Sequence, residues 1–482
     1  MPVRSRRPGD RRPPQRRSSA ASRAYRTPVQ KRLAKTTDHG RPVIVPPAAF
    51  APALRGGGWG PFAEWFDRMN RSALATLDVS IEFGNGSEGT TVQLVPGGRA
   101  GAVPLRSGQT GQVVGGLLVE PRFGWPGVGQ VLAETGWHAL PEFPSLPLVP
   151  GSGREVPPWV LAGPVLARLA ALLRTLRRGY QQNEAVLGQP RGRILWDRYR
   201  AESLSRGHWD RIPCRFPDLA ADPSLRRHIR WATDRIHRDL LLVGGRDPIA
   251  LRMASLAAHL LEQLADVTAQ KPRRDELQRR LGHGRALSDA LQRGIEALGW
   301  IVDERGLGGG RQSDGLAWSL PLDRLWESYV ESWTRREAAM IGATVKVARL
   351  GETVFRLDWS DATHRSLGHL APDIVLRRGR SVQIVDAKYK AHLVELDEHG
   401  WYRFAAETRE AHRADLHQVL AYAGLFEADD ITATLVYPLR RSTWEALHER
   451  GRDVSRADLL SGGRTLRLEL RGLPFGRATS RG

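Results

Sequence analysis

The sequence predicts an α/β C-terminal core, a mixed sheet flanked by helices, preceded by a small β-rich domain and an α-helical middle region. Three observations carry this reading. From Leu322 onward the pattern runs helix, strands, helix, strand, the order of a sheet covered by helices. Between residues 41 and 142, short apolar or alternating runs are separated by Gly-rich turns. Between residues 159 and 320, apolar residues recur at helical spacing.

The 482 residues suffice for two or three domains, and 41% hydrophobic content suits packed cores. No run of 18 apolar residues occurs, so no membrane span is expected. The single cysteine, Cys214, excludes a disulfide framework and a cysteine-rich zinc site and points to a reducing, cytoplasmic compartment. Net charge is +20, and half of it sits in residues 1–40, where twelve Lys and Arg face only Asp10 and Asp38. This stretch lacks the apolar segment of a secretory signal and reads as a disordered basic arm able to meet phosphate backbones without reading sequence.

Taken in order, residues 41–142 read as a small, mostly β domain suited to docking a partner. Strand candidates are Thr76 to Phe83, Thr90 to Val95 and Gly115 to Phe123, the last leading into a helix. Residues 143–158 are Pro-rich and read as a linker. The helical region 159–320 opens with Trp159 to Arg178, whose Val165, Leu166, Leu169 and Leu172 share a face while Arg168, Arg174, Arg177 and Arg178 lie elsewhere. Asp222-Pro223-Ser224 marks a helix start, followed by a stripe of Leu225, Ile229, Ala232, Ile236 and Leu240. Two further helical patterns cover about 249–268 and 273–297. Gly306 to Gly310 invites a phosphate-loop reading, but no Gly-Lys pair exists anywhere in the chain, so no nucleotide-hydrolysing P-loop is expected.

The core, residues 321–440, begins with a helix over Leu325 to Met340, with Glu327 and Glu331 on one face. Strands at about 344–350 and 353–359 follow. The central stretch, Leu370 to Lys390, reads LAPDIVLRRGRSVQIVDAKYK. Two apolar runs, Ile374 to Leu376 and Val382 to Val385, flank Arg378-Gly379-Arg380, the pattern of a hairpin of buried strands. Asp373 starts the first strand, while Asp386 and Lys388 end the second and project from the same face. A helix at 411–427 and a strand at 431–437 complete the core. Residues 441–482 form a C-terminal extension whose Arg- and Gly-rich end is expected to fray.

Two carboxylates and an ammonium at the edge of an apolar sheet are costly unless paired or holding a metal. Asp373 and Asp386, with twelve residues between them and Lys388 beyond, suit metal-dependent phosphodiester hydrolysis. Mg²⁺, or Mn²⁺ in its place, takes hard oxygen ligands and leaves room for water and phosphate. A bound metal lowers the pKa of its water and stabilises developing charge, and Lys388 would orient that water. D-x-K alone is common and would equally describe a strand-end ion pair; its setting among these elements favours the catalytic reading.

Residues 322–440 resemble the PD-(D/E)XK nuclease superfamily in its D-x-K form, a restriction-endonuclease-like fold. The string PDIVL…IVDAKYK, with LWESYV before it and DLHQVLAYA after it, is most similar to McrC-type subunits of modification-dependent restriction systems. Looser similarity reaches upstream through Gly115 to Phe143 and through GRILWD and PCRFPDLAADPSLRRHIRWA. The resemblance implies that Asp373, Asp386 and Lys388 form the nuclease centre, with the Ala387 carbonyl among the metal ligands. It implies that Glu327 supports the metal, Glu331 being its competitor one turn on, and that Gln418 and Tyr422 line the site. It further implies DNA as substrate and a separate GTP-hydrolysing AAA+ partner of McrB type.

The leading expectation is therefore a Mg²⁺-dependent endonuclease subunit of a restriction or phage-defence complex. A non-catalytic DNA-binding or motor-activating adaptor is the alternative from another class, and a stand-alone DNA repair nuclease is a third.

Overall fold

In the computed structural model the described residues are 32–45, 59–86, 89–136, 141–152, 155–176, 179–220, 223–245, 247–282, 288–303, 314–360, 367–461 and 464–476. Strands β1 (Arg32–Thr37) and β2 (Val43–Val45) precede helix α1 (Trp59–Ala75) and strands β3 (Val79–Gly86), β4 (Gly89–Pro96), β5 (Arg99–Arg106) and β6 (Val113–Glu120). Helices α2 (Gly124–Glu134) and α3 (Pro158–Thr175) lead to β7 (Gly179–Leu187), β8 (Arg193–Ile194) and β9 (Ile212–Ala220). Next come α4 (Pro223–Gly244), α5 (Pro248–Glu262), α6 (Arg274–Gly282) and α7 (Asp289–Val302), then β10 (Trp318–Pro321) and α8 (Leu322–Ile341). The C-terminal part holds β11 (Thr344–Val347), β12 (Phe355–Arg356), β13 (His369–Leu370), β14 (Ile374–Arg378), β15 (Ser381–Ala387), α9 (His392–His399), α10 (Ala406–Ala423), β16 (Asp430–Leu439), α11 (Arg441–Glu449), β17 (Val454–Ser461) and β18 (Arg464–Pro474).

The C-terminal sheet is six-stranded and mixed, in the order β11-β14-β15-β16-β18-β17. Strands β14 and β15 form the hairpin the sequence predicts. Its register pairs Ile374 with Val385 and Arg378 with Ser381, leaving a two-residue loop opened by Gly379 at φ 57°. A side chain at that left-handed φ is disfavoured, so glycine sets the turn. Strand β16 runs parallel to β15, which demands a long crossover, supplied by α9 and α10. On the other face, α8 lays Leu325, Trp326, Tyr329, Val330, Thr334 and Ala338 against the sheet as one buried stripe and ends at Gly342 in the left-handed conformation.

Several expectations are corrected. Residues 1–31 of the expected arm lie outside the described residues, but Arg32–Thr37 pair parallel to β6 as an edge strand. The expected linker is not free: Val149 bridges to Gly315, and Glu142 just before the linker bridges to Ser319 of β10; the linker prolines lack N–H groups, yet Val149 between them still pairs. The middle region is not wholly helical. Strands β7, β9 and β8 form a sheet there, and the prolines of β9, Pro213 and Pro217, hide its alternation of Cys214 and Phe216. The helical pattern over 273–297 is two helices, α6 and α7, and the strand expected at 353–359 shrinks to Phe355–Arg356, paired with β13. Of the end expected to fray, residues 477–482 lie outside the described residues, but Val454–Ser461 and Arg464–Pro474 form β17 and β18 and extend the sheet, because Leu466, Leu468 and Leu470 alternate with polar residues as one sheet face requires. Gly306 to Gly310, Arg177, Arg178 and Asp222 lie outside the described residues. The stripe of Leu225, Ile229, Ala232, Ile236 and Leu240 is buried as expected. Arg168 is not a free basic side chain on the helix surface, since it lies over the Trp300 ring and beside Glu296.

The N-terminal sheet reaches the C-terminal core in two ways. Strand β10, which runs directly into α8, pairs with β5 in the order β1-β6-β5-β10. Asp38, just after β1, is fully buried and accepts hydrogen bonds from the Arg122 backbone N–H and, at 2.9 Å, from the Tyr389 hydroxyl. Burial pushes the Asp38 carboxyl up, against the opposing pull of the Arg122 guanidinium. That guanidinium lies 4.5 Å from the Tyr389 ring centre, and Phe123 stacks on Phe475 beside it. Removing the hydroxyl in Tyr389→Phe strips one donor from a buried carboxylate. Urea denaturation is expected to show a loss of about 1–3 kcal/mol, with the far-ultraviolet dichroism of the folded protein unchanged.

Candidate active site

The hairpin register decides where the charges meet. In an antiparallel pair the start of one strand lies against the end of the next, so Asp373, one residue before β14, faces the end of β15. Its Oδ2 accepts the backbone N–H of Ala387 at 2.9 Å. The Pro372–Asp373 backbone is held from the other side, where Asp373 O accepts the Ala348 N–H and Pro372 O accepts the Thr353 hydroxyl. Asp386 is 1% exposed, and the Lys388 ammonium lies 2.6 Å from its Oδ2.

The two helices close the edge. From α10, Gln418 Oε1 accepts Lys388 Nζ at 2.8 Å, and Gln418 Nε2 donates to the Tyr422 hydroxyl at 2.9 Å. Lys388 is thus held between a carboxylate and an amide, with Tyr422 fixing which way the amide points. From α8, Trp326 donates its indole N–H to the Val436 carbonyl, which also accepts the Lys388 backbone N–H. This ties the helix to the sheet next to Glu327. Glu327 and Asp373 line one cleft of about 510 Å³.

The charges are mutually strained. Burial first, and then the charge of Asp386, push Asp373 up to about 7. Burial likewise raises Asp386 despite the opposing Lys388 ammonium, and burial with Asp323 and Asp386 raises Glu327. Burial works against the Lys388 ammonium, but Asp386, Asp415 and Asp373 more than offset it, so its affinity for the proton is raised. Held in this state, the lysine keeps its proton and donates hydrogen bonds to Asp386 and Gln418. Glu331 is differently placed. Burial is outweighed by hydrogen bonds from Arg349 and Arg335, which leave it below the usual range and occupied. Between the two glutamates, only Glu327 faces the carboxylate pair without a cationic clamp of this kind.

The description McrBC 5-methylcytosine restriction system component belongs to a family model that matches residues 165–438. The chain belongs to this McrBC family. The matched span begins in α3, ends in β16 and contains Glu327, Asp373, Asp386, Ala387, Lys388, Gln418 and Tyr422. Among solved structures, the chain is similar to a refined half-complex from a tetradecameric assembly of Thermococcus gammatolerans McrB AAA+ hexamers with bound McrC, at 14% identity and a TM-score of 0.37, covering 93% of this chain and 97% of that one. It is also similar to the cryo-EM structure of the Thermococcus gammatolerans McrBC complex, at 12% identity and a TM-score of 0.26, covering 63% and 87%. These likenesses are too loose to assign the fold. No curated protein matches the sequence.

Around this McrBC-family site lie residues that sequence reading missed. Asp415 is 5% exposed, accepts Lys390 Nζ at 2.9 Å on both oxygens and sits 3.9 Å from Lys388. The signal was present, since Asp415 stands three residues before Gln418 on the same helical face, and Lys390 continues the alternation of Asp386 and Lys388. Asp38, Arg122 and Tyr389 had no local signal, because their partners are far away in sequence.

The raised carboxylates give a stability prediction. An Asp whose folded pKa exceeds its unfolded one holds its proton more tightly when folded. Stability therefore falls as pH rises from about 4 to about 7 and stays lowered above that. Asp373→Asn keeps an acceptor for the Ala387 N–H and removes the charge. In metal-free protein at pH 8 it is expected to gain roughly 1–3 kcal/mol over wild type, the difference closing toward pH 4, as read by thermal melts across that range.

Proposed function

We propose that this protein is the McrC-type nuclease subunit of a McrBC restriction system, hydrolysing DNA phosphodiester bonds with Mg²⁺ or Mn²⁺ when coupled to a separate AAA+ NTPase. The observation that carries the reading is the meeting of Asp373, Asp386 and Lys388 at one sheet edge, with Glu327 on the adjoining helix. Two buried carboxylates whose proton affinities are both raised form a site that a cation would relieve. Their hard oxygens, which the Ala387 carbonyl and the Glu327 carboxylate would join, fit Mg²⁺ or Mn²⁺ rather than a soft metal. The metal would supply charge neutralisation at the phosphate and a more acidic bound water.

The chain's own groups divide the remaining work. Asp373 and Asp386 would hold the cation, and the Ala387 N–H fixes the orientation of the Asp373 carboxylate. Lys388, steered by Gln418, aims its ammonium at the face where the nucleophile and the scissile phosphate would meet, orienting one and countering charge on the other. Tyr422 acts through Gln418 as a positioning residue. The core is restriction-endonuclease-like in this reading, with the PD-(D/E)XK set in its D-x-K form, and the enzyme works in the cytoplasm. In the Thermococcus gammatolerans assembly, McrC is bound to McrB AAA+ hexamers. An equivalent hexameric motor is the partner assigned to this chain, and the β-rich N-terminal half is its docking part. Among the described residues no helix is long and apolar enough to cross a membrane.

Plasmid cleavage tests this. Wild type and Asp386→Ala, each alone and with the partner NTPase and nucleotide, are compared in Mg²⁺, Mn²⁺ and EDTA on methylated and unmethylated DNA. Cutting is expected only with metal and partner, and a roughly thousandfold or greater loss is expected in Asp386→Ala. Equal cleavage by Asp386→Ala would sink the nuclease assignment. Robust cutting without any NTPase would favour a stand-alone nuclease, and no cutting in any arrangement would favour an adaptor.

A further inference from the structure

A second cluster of chemistry-bearing side chains lies behind Lys388, away from the carboxylate pair. His392 opens α9, four residues after Lys388, and His412 and Asp415 stand three apart on α10. All three are buried, at 6%, 2% and 5% exposure. One ligand atom from each lies within 4.8 Å of the other two. Two of the three have partners: His412 Nδ1 meets the Tyr437 hydroxyl at 3.2 Å, and Asp415 holds the Lys390 ammonium. His392 Nδ1 has none, and its nearest polar neighbour, Asp415 Oδ2, is 3.7 Å away, beyond hydrogen-bonding reach.

A buried nitrogen without a partner carries a desolvation cost that an apolar ring in its place would not. Aromatic packing against Phe404 and Tyr437 accounts for the bulk of His392 but not for its nitrogen, nor for its convergence with a second imidazole and a carboxylate. We propose that His392, His412 and Asp415 form a second metal site, for a transition-metal dication of the Zn²⁺ type, which clamps α9 to α10 beside Lys388. Two imidazoles and one carboxylate are the donors such ions take, and they are a poor set for Mg²⁺. Burial lowers both histidines, His392 to about 4, so both rings are neutral and carry free lone pairs at neutral pH. The Tyr437 contact engages His412 Nδ1 and leaves Nε2 as the nitrogen for a metal, an outer hydrogen bond of the kind that orients a metal-ligating imidazole.

Lys390 marks the charge the site wants. Its ammonium rests on both oxygens of Asp415 while its side chain stays 37% exposed, so an incoming dication displaces it toward water. A metal here would pin the segment from Lys388 to His392. It would also take up the Asp415 charge that now acts on Lys388 from 3.9 Å.

The test is a Zn²⁺ titration by calorimetry of the full-length chain stripped of metal, with Co²⁺ as a visible-absorption probe and no DNA present. Asp386→Asn serves as background, because it weakens the carboxylate pair and changes none of the three proposed ligands. One equivalent of Zn²⁺ is expected to bind in that background, uncompeted by millimolar Mg²⁺, and to bind roughly tenfold or more weakly once His412→Gln is added. Lys390→Ala, a change at a half-exposed side chain, is expected to tighten binding by about tenfold, which keeps the test decisive if His412→Gln fails to fold. Zn²⁺ binding that vanishes in Asp386→Asn alone, or that neither His412→Gln nor Lys390→Ala alters, would overturn the proposal. Neither result depends on whether the chain cleaves DNA.

Discussion

The antiparallel register of one hairpin forces two carboxylates together at a buried sheet edge, and much of the C-terminal architecture answers that constraint. Asp386 is almost fully removed from water, and Asp373 lies one residue beyond the paired strand. Burial disfavours the charged form of both carboxyls, and the Asp386 charge adds to this at Asp373, which is why both hold their protons more tightly than usual. The fold offsets this locally with one ammonium, one backbone N–H and a glutamine that keeps the ammonium in place. Removing the ammonium would leave two buried carboxylates uncompensated, so the pair depends on Lys388.

The surrounding elements serve that edge. Strand β16 lies parallel to β15, and its Val436 carbonyl receives both the Lys388 backbone and the Trp326 indole. One acceptor thereby fixes the depth of α8 and the exit of β15. The parallel arrangement also requires the long crossover through α9 and α10, and α10 returns Gln418, Tyr422 and Asp415 to the site. A cleft outside the carboxyl ends of the parallel strands is the usual place for ligands in such sheets.

The N-terminal half is joined to this machinery at the residue after Lys388. Tyr389 reaches the buried Asp38 of the first sheet, and Arg122 and Phe123 from the β6–α2 connection pack on its ring. Strand β10 belongs to that first sheet, yet it runs without a break into α8, which carries Glu327. A force applied to the N-terminal sheet therefore meets the site through both the lysine strand and the glutamate helix. That is a physical route by which a docked partner would bear on the site.

The sequence by itself determined what is local. The two apolar runs, Ile374 to Leu376 and Val382 to Val385, on either side of Gly379 specified the hairpin, and the two-residue period of a strand placed Asp386 and Lys388 on one face. The helical stripes of α4 and α8 were legible for the same reason, since a period is a property of consecutive residues. Strand β9 was hidden by its prolines and β18 by its arginines, because composition outweighed their alternation. Helix α1 and β5 went unread, and β1 was absorbed into a charged arm. Only the tertiary structure showed the rest: Arg335 and Arg349 bound to Glu331; Asp415 and Lys390 beside Lys388; and Tyr389 on Asp38, 351 residues apart. Such pairs are chosen by how sheets and helices stack, and stacking depends on the shape and burial of whole faces, which no short stretch of chain encodes.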